Sequence, residues 1–245
     1  MRTIRYQVIG DDLRRRVREG EFDQLGVLPS ESELSAHYEA SRVTVRRALE
    51  VLRLEGLLES RQGFGWMVAG EPLRQELHHL DTMDAQLSAA GVRSERRILS
   101  FGFVPAPRRV RELLGERTVL EVDRLSLADG VPFARVTVWC PEQLGAALSR
   151  DDVERASFLE QLPVRLGGAS QMIGAELVDD EDAQLLEVPP GSPVLVAERI
   201  TRSTEGRPVL VSQHVFPAHR MRFAVDLPVH DGGLHPAGMR FVDGA

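Results

Sequence analysis

The chain has no lysine and only one cysteine, Cys140, among its 245 residues, so all 30 of its basic side chains are arginines. A single thiol cannot close an internal disulfide, which fits a reducing compartment and predicts a cytoplasmic protein. No run approaches the about eighteen apolar residues of a membrane span. The opening Met1-Arg2-Thr3-Ile4-Arg5-Tyr6 also lacks the apolar core of a signal peptide, so no membrane partner is expected. The histidines at 78, 79, 214, 219, 230 and 235 invite a metal reading, but none of these stands at ligand spacing from an acid or a cysteine in a regular element. Neither a metal nor a cofactor is expected.

A positive excess is missing as well. The net charge is −7, which argues against binding nucleic acid with the whole surface. The charge is unevenly spread, however. Residues 1–70 carry 11 arginines against 11 acids, so the negative excess lies in residues 71–245. Residues 41–48 hold three arginines and no acid, a local basic face on a neutral module.

That module reads as three helices and a hairpin. "YQVIGDDLRRRVREG" is a helix stopped by Gly20. In "LPSESELSAHY", Ser30 with Glu33 three residues on is a capping box. In "EASRVTVRRALEVLRLEG", Ser41 caps a helix whose Val45, Ala48, Leu49 and Leu52 form one apolar face. Arg42, Arg46 and Arg53 share another face, flanked by Thr44 and Arg47. "LLESRQGFGWMV" then reads as two short strands around a turn at Gly63-Phe64-Gly65. Guanidinium forks at Arg42, Arg46 and Arg47 suit guanine O6 and N7 in a major groove. Ser30, Ser41, Thr44 and the backbone N–H groups at the helix starts suit phosphate oxygens, and Glu31 is counted with the same DNA-binding face. Gly63 and Gly65 let a hairpin tip approach DNA, with Arg61 and Gln62 beside it.

A break near residues 68–72 leads into a different pattern, an internal repeat with an offset of about 75 residues by direct count. Each half has an alternating strand and a short helix ending in Leu-Leu, at 113–114 and 185–186. An acid–arginine strand follows (Asp123-Arg124, Glu198-Arg199), then a Gly-x-Pro hairpin and a last strand. Two such units predict an α+β fold with one antiparallel sheet, helices on one face, and a linking helix in "DDVERASFLEQL". The acidic run 179–182 reads as a charged helix N-terminus. Cys140 reads as a packed thiol rather than a nucleophile.

The stretch "LPSESELSAHYEASRVTVRRALEVLRLEGLLESRQGFGWMV" resembles the winged helix-turn-helix domain of GntR-type bacterial regulators, with Trp66 where that family usually has a small threonine. "RILSFGFV", "LEVDRLSLADGVPFA", "LLEVPPGSPVLVAERITRSTEGRPV" and "HRMRF" resemble the UTRA effector domain of the HutC branch. The resemblance implies a DNA-binding domain at 1–70 and a chorismate-lyase-like effector and dimerisation domain at 71–228. Residues 229–245 are expected to be a disordered tail. It also implies a homodimer on an inverted-repeat operator in double-stranded DNA, responding to a small-molecule effector, most simply as a repressor.

Against sugar-phosphate-sensing members, the Arg-x-Arg strand keeps Arg124 but has Ser126, and Ser-x-Tyr becomes Ser157 and Leu159. Carboxylate and tyrosine positions become Val136, Leu210-Val211 and Phe216. A buried dianionic phosphate with one arginine is poorly compensated. The expected effector is therefore partly apolar with one anionic or polar group. It would be held by Arg124 and lined by Thr82, Ser126, Arg135, Val136, Thr137, Ser157, Leu159, Leu210 and Phe216. The alternatives are a ligand-free dimerisation platform and a chorismate-lyase-like enzyme. The assigned pocket residues bind but offer little chemistry, so no enzyme is expected.

Overall fold

The computed structural model describes residues 5–22, 27–61, 65–69, 72–77, 87–88 and 91–226. Gln62, Gly63, Thr82 and the tail from 229 lie outside the described residues, as does the side chain of Arg61.

The N-terminal module holds α1 (Arg5–Arg18), α2 (Glu31–His37) and α3 (Arg42–Leu54), followed by the antiparallel pair β1 (Leu58–Arg61) and β2 (Gly65–Val68). The apolar stripe of α3 is its core face. Val45, Ala48, Leu49 and Leu52 are fully buried against Ile9 and Leu13 of α1, Leu34 of α2, and Leu58 and Trp66 of the hairpin. Each large aliphatic there contributes about 1.5–3 kcal/mol as an upper estimate. Ser30 closes both halves of its capping box, and the Ser41 hydroxyl accepts from the Thr44 amide at 3.2 Å. The polar face of α3 thereby begins at a fixed point.

The second module is a six-stranded antiparallel sheet in the order β4-β5-β6-β9-β8-β7. Its strands are β4 (Ser94–Pro105), β5 (Thr118–Ala128), β6 (Val131–Pro141), β7 (Leu166–Leu177), β8 (Pro193–Ser203) and β9 (Pro208–Pro217). Each repeat contributes three consecutive strands, and β6 against β9 joins the halves at the centre. α4 (Arg108–Leu114) follows the first strand of one half, and α8 (Asp180–Leu185) that of the other. β3 (Leu73–Glu76), directly after the first module, pairs in parallel with β10 (Met221–Ala224).

Two expectations are corrected here. Helices cover both faces of the sheet rather than one. α4 and α8 pack on the face that carries Val119, Val211, Leu125 and Val194. α5 (Glu142–Gly145), α6 (Arg150–Arg155), α7 (Phe158–Gln161) and the β3–β10 pair lie over the other, which carries Leu120, Val122, Val136 and Leu210. Strands apolar on both faces need cover on both. The linking helix is also two pieces, α6 and α7, because Ala156 is extended (φ −133°, ψ 162°) and Ser157 starts a new turn. Gln161 Nε2 donates to the Asp152 and Ala156 carbonyls across that break.

Candidate DNA-binding and effector sites

On the exposed face of the first module, Arg46 of α3 meets Glu31 of α2 as a fork. Nε lies 2.9 Å from one carboxylate oxygen and Nη2 2.8 Å from the other. The indole N–H of Trp66 donates to the same carboxylate at 3.2 Å, so the hairpin, α2 and α3 share one anchor. The Arg46 hydrogen bonds, and then the Trp66 bond against the opposing effect of burial, hold the Glu31 carboxyl below its ordinary range. Arg46 still has two thirds of its side chain in solvent, so its guanidinium is placed but not consumed.

Arg42 donates to the Ser32 hydroxyl. Arg47 lies over the Tyr6 ring of α1 at 4.3 Å from its centroid, a cation–π contact that orients it toward the first helix. Gly65 stands at φ 86° opposite Arg61, with nothing within 4 Å of where a Cβ would sit, so its role is conformational. Sequence reasoning passed over Val43, whose side chain is 79% exposed at the start of α3, where an apolar group suits a thymine methyl. Its exposure beside Arg42 was readable from the helical spacing.

In the second module, Arg124, Ser126, Val136, Ser157, Leu159, Leu210 and Phe216 line one cavity between the sheet and the α6–α7 segment. This cavity has a volume of about 60 Å³. Arg135 and Thr137 are not part of it. Along a strand side chains alternate, so with Val136 facing the cavity its two neighbours face away. Arg135 points to the opposite side and pairs with Asp123 at 2.8 Å, Asp182 at 2.9 Å and Glu181 at 3.1 Å, tying α8 to the sheet. Burial pushes the Asp182 carboxyl up, and Arg135 opposes that. Asp179 caps α8 by accepting from the Asp182 amide at 2.7 Å.

Further cavity residues were missed in the sequence: Gln75 of β3, Arg199 and Thr201 of β8, and Ser212 and His214 of β9. Arg199 donates to the Gln171 carboxamide at 2.7 Å, and burial lowers its pKa. His214 contacts the Ser212 hydroxyl at 3.0 Å. Burial, then the nearby Arg199 and Arg124, hold it well below the ordinary range and therefore neutral. Thr201 is wholly buried, and its hydroxyl has no hydrogen-bond partner among the described residues. The repeat offset was the signal that could have found Arg199 and Thr201, since it carries Arg124 and Ser126 onto them.

Among the described residues no group of three histidine, cysteine or carboxylate side chains could hold a metal ion. Burial pushes the Cys140 thiol up to about 12, which removes it as a nucleophile. No helix among the described residues is long and apolar enough to cross a membrane.

Comparison with known proteins agrees with this two-part construction. Residues 5–68 match the family model of bacterial regulatory proteins of the gntR family, and residues 89–222 match the UTRA domain. The HTH-type transcriptional regulator Rv0792c of Mycobacterium tuberculosis is 34% identical, over 90% of this chain and 84% of its own length. The mannosyl-D-glycerate transport/metabolism system repressor MngR of Escherichia coli is 29% identical, over 90% and 92%. The crystal structure of PhnF from Mycobacterium smegmatis superposes with a TM-score of 0.61 at 23% identity, covering 91% of this chain and all of that one, a likeness of fold. These relatives are transcriptional regulators, not enzymes. With a helix-turn-helix module whose arginines face outward and an effector-type domain enclosing a cavity, the chain belongs to the GntR family of bacterial DNA-binding transcriptional regulators, in the group that carries a UTRA domain.

Proposed function

We propose that this protein is a cytoplasmic, homodimeric repressor that leaves an inverted-repeat operator when a small, partly apolar anionic metabolite enters the UTRA cavity. Residues 1–70 read the DNA, and residues 71–228 bind the effector and dimerise. The observation that carries the reading is the cavity itself. It sets Arg124 and Ser126 beside an apolar wall of Val136, Leu159, Leu210 and Phe216, with no connection to the arginine face of α3. Such a mixture orients one polar end of a ligand and desolvates the rest.

Repression is supported by the relative MngR, a repressor. Dimerisation is supported by β7, an edge strand of twelve residues with Met172, Ile173 and Leu177 at 48%, 40% and 74% exposure. An edge of that length and character invites pairing with a second copy. Two recognition helices then enter successive major grooves, with half-sites about one helical turn apart. The effector acts by favouring the dimer geometry that fits this spacing less well.

The test is a thermal-shift panel that pairs sugar phosphates with free sugars, and amphipathic carboxylates with their esters. Each hit is then assayed for operator release by fluorescence anisotropy. A carboxylate that stabilises the protein and releases DNA is the expected result. Arg124→Ala should keep operator affinity and lose release. A variant that is still released normally would remove Arg124 from the effector site.

A further inference from the structure

Arg124 and Arg199 occupy equivalent positions of the internal repeat, and so do Ser126 and Thr201. All four line the same cavity. Their neighbours on the other face are matched too: Asp123 is held by Arg135 at 2.8 Å, and Glu198 by Arg109 at 3.1 Å. Each half of the domain thus turns a carboxylate outward to a structural arginine and an arginine with a hydroxyl inward. The strand order places β5 and β8 symmetrically about the central β6–β9 pair. Three strand spacings, about 14 Å at the backbone, separate them. The floor between is mixed: Ala134, Val136, Val138 and Leu210 face the cavity, with Ser212 and His214 of β9 among them.

From this we infer that the effector is a two-ended anion, an acid with one anionic group at each end of a short apolar middle. Arg124 and Ser126 hold one end, and Arg199 and Thr201 hold the other. The inference rests on the reading of this cavity as the effector site and adds the second anchor. A monoanion held at Arg124 leaves Arg199 with only the neutral Gln171 as a hydrogen-bonding side-chain partner among the described residues. A buried guanidinium so placed gains from an anion of its own. The wholly buried Thr201 hydroxyl supplies a second donor at that end. His214 between the two arginines stays neutral, adding a hydrogen-bonding group without a third positive charge. With arginines reaching inward from both sides, the spacing between the anionic groups should match a chain of several methylenes.

The experiment titrates the full-length protein with glutarate, adipate, pimelate and suberate, with hexanoate and octanoate as one-ended controls and inorganic phosphate as a compact one, by calorimetry. At least one diacid should bind about tenfold or more tighter than either monoacid and tighter than phosphate. Arg199→Gln should bring that diacid down to the monoacid level, and Arg199→Lys should restore part of the gap. The comparison of diacid with monoacid on the unaltered protein holds even if a variant fails to fold. Monoacids binding as tightly as diacids, phosphate binding tightest, or no diacid binding at all would each overturn the two-ended ligand. The broader effector reading fails separately, when nothing in the earlier panel releases DNA from a protein that binds its operator normally.

Discussion

Arg46 is the residue on which sequence and structure place the most weight for reading DNA. In the free protein its fork is closed on Glu31 and only partly shielded from water. An exposed pair of this kind contributes little to stability, so a guanine edge can replace the carboxylate at low cost. Arg46→Ala should weaken binding to the specific operator by about 1–3 kcal/mol and flatten discrimination at the contacted base pair, with little effect on non-specific DNA. Anisotropy titrations on the operator and on single-base variants decide this, and a uniform loss across all sequences would make Arg46 a phosphate contact instead. Trp66, noted in the sequence only as a departure from the family pattern, proves to donate to the same carboxylate. The sequence did not reveal that link because it joins residues 35 positions apart. At the same scale, assigning Arg135, Val136 and Thr137 together to one pocket ignored strand alternation. Only the middle residue of three can share a face with Arg124.

At the scale of elements, the first module was readable because its signals are local. Caps at Ser30 and Ser41 and an apolar stripe with helical spacing fix α2 and α3 within a few residues of where they fall. The repeat in the second module was equally legible, since an offset of about 75 residues persists through strand, helix and hairpin. Which face each helix covers was not, because a strand that is apolar on both faces does not say which of its neighbours comes to which side. The hairpin carries this module's own prediction. Gly65 is at φ 86° with open space around it, so a side chain there strains the backbone without striking a neighbour. Gly65→Val should cost about 1–2 kcal/mol in stability and lower operator affinity by misplacing the wing. Chemical denaturation and anisotropy on the same preparation separate the two effects. Lost stability with operator affinity unchanged would take the wing out of DNA recognition.

The whole molecule adds a junction that neither module's sequence suggests. Gly56, just after α3, stands at φ 73°, and a Cβ there would lie 2.0 Å from the Cβ of His219, which precedes β10. Next to it, Arg220 donates to the carbonyls of Pro132 and Leu186 and lies 3.5 Å from Glu59 of the hairpin. The DNA-binding module therefore rests on the C-terminal end of the effector domain, beside the strand that pairs with the connecting β3. Burial at this junction, with Arg220, Arg222 and Arg53 nearby, pushes His219 down to about 4. The sign of its linkage follows. Between about 6.5 and about 4 an unfolded histidine takes up a proton that the folded one refuses, so the unfolded state binds more protons and stability must fall as pH falls through that window. Each such histidine adds up to about 1.4 kcal/mol per pH unit to the slope, and His214 acts in the same direction. His219→Gln should therefore flatten the pH dependence of urea unfolding without removing it, because His214 remains. Gly56→Ala, which forces His219 away from the hairpin module, should flatten it as well and weaken the coupling of effector binding to operator release. A slope unchanged in both variants would mean that His219 is solvated and that the two modules do not meet at this junction in solution.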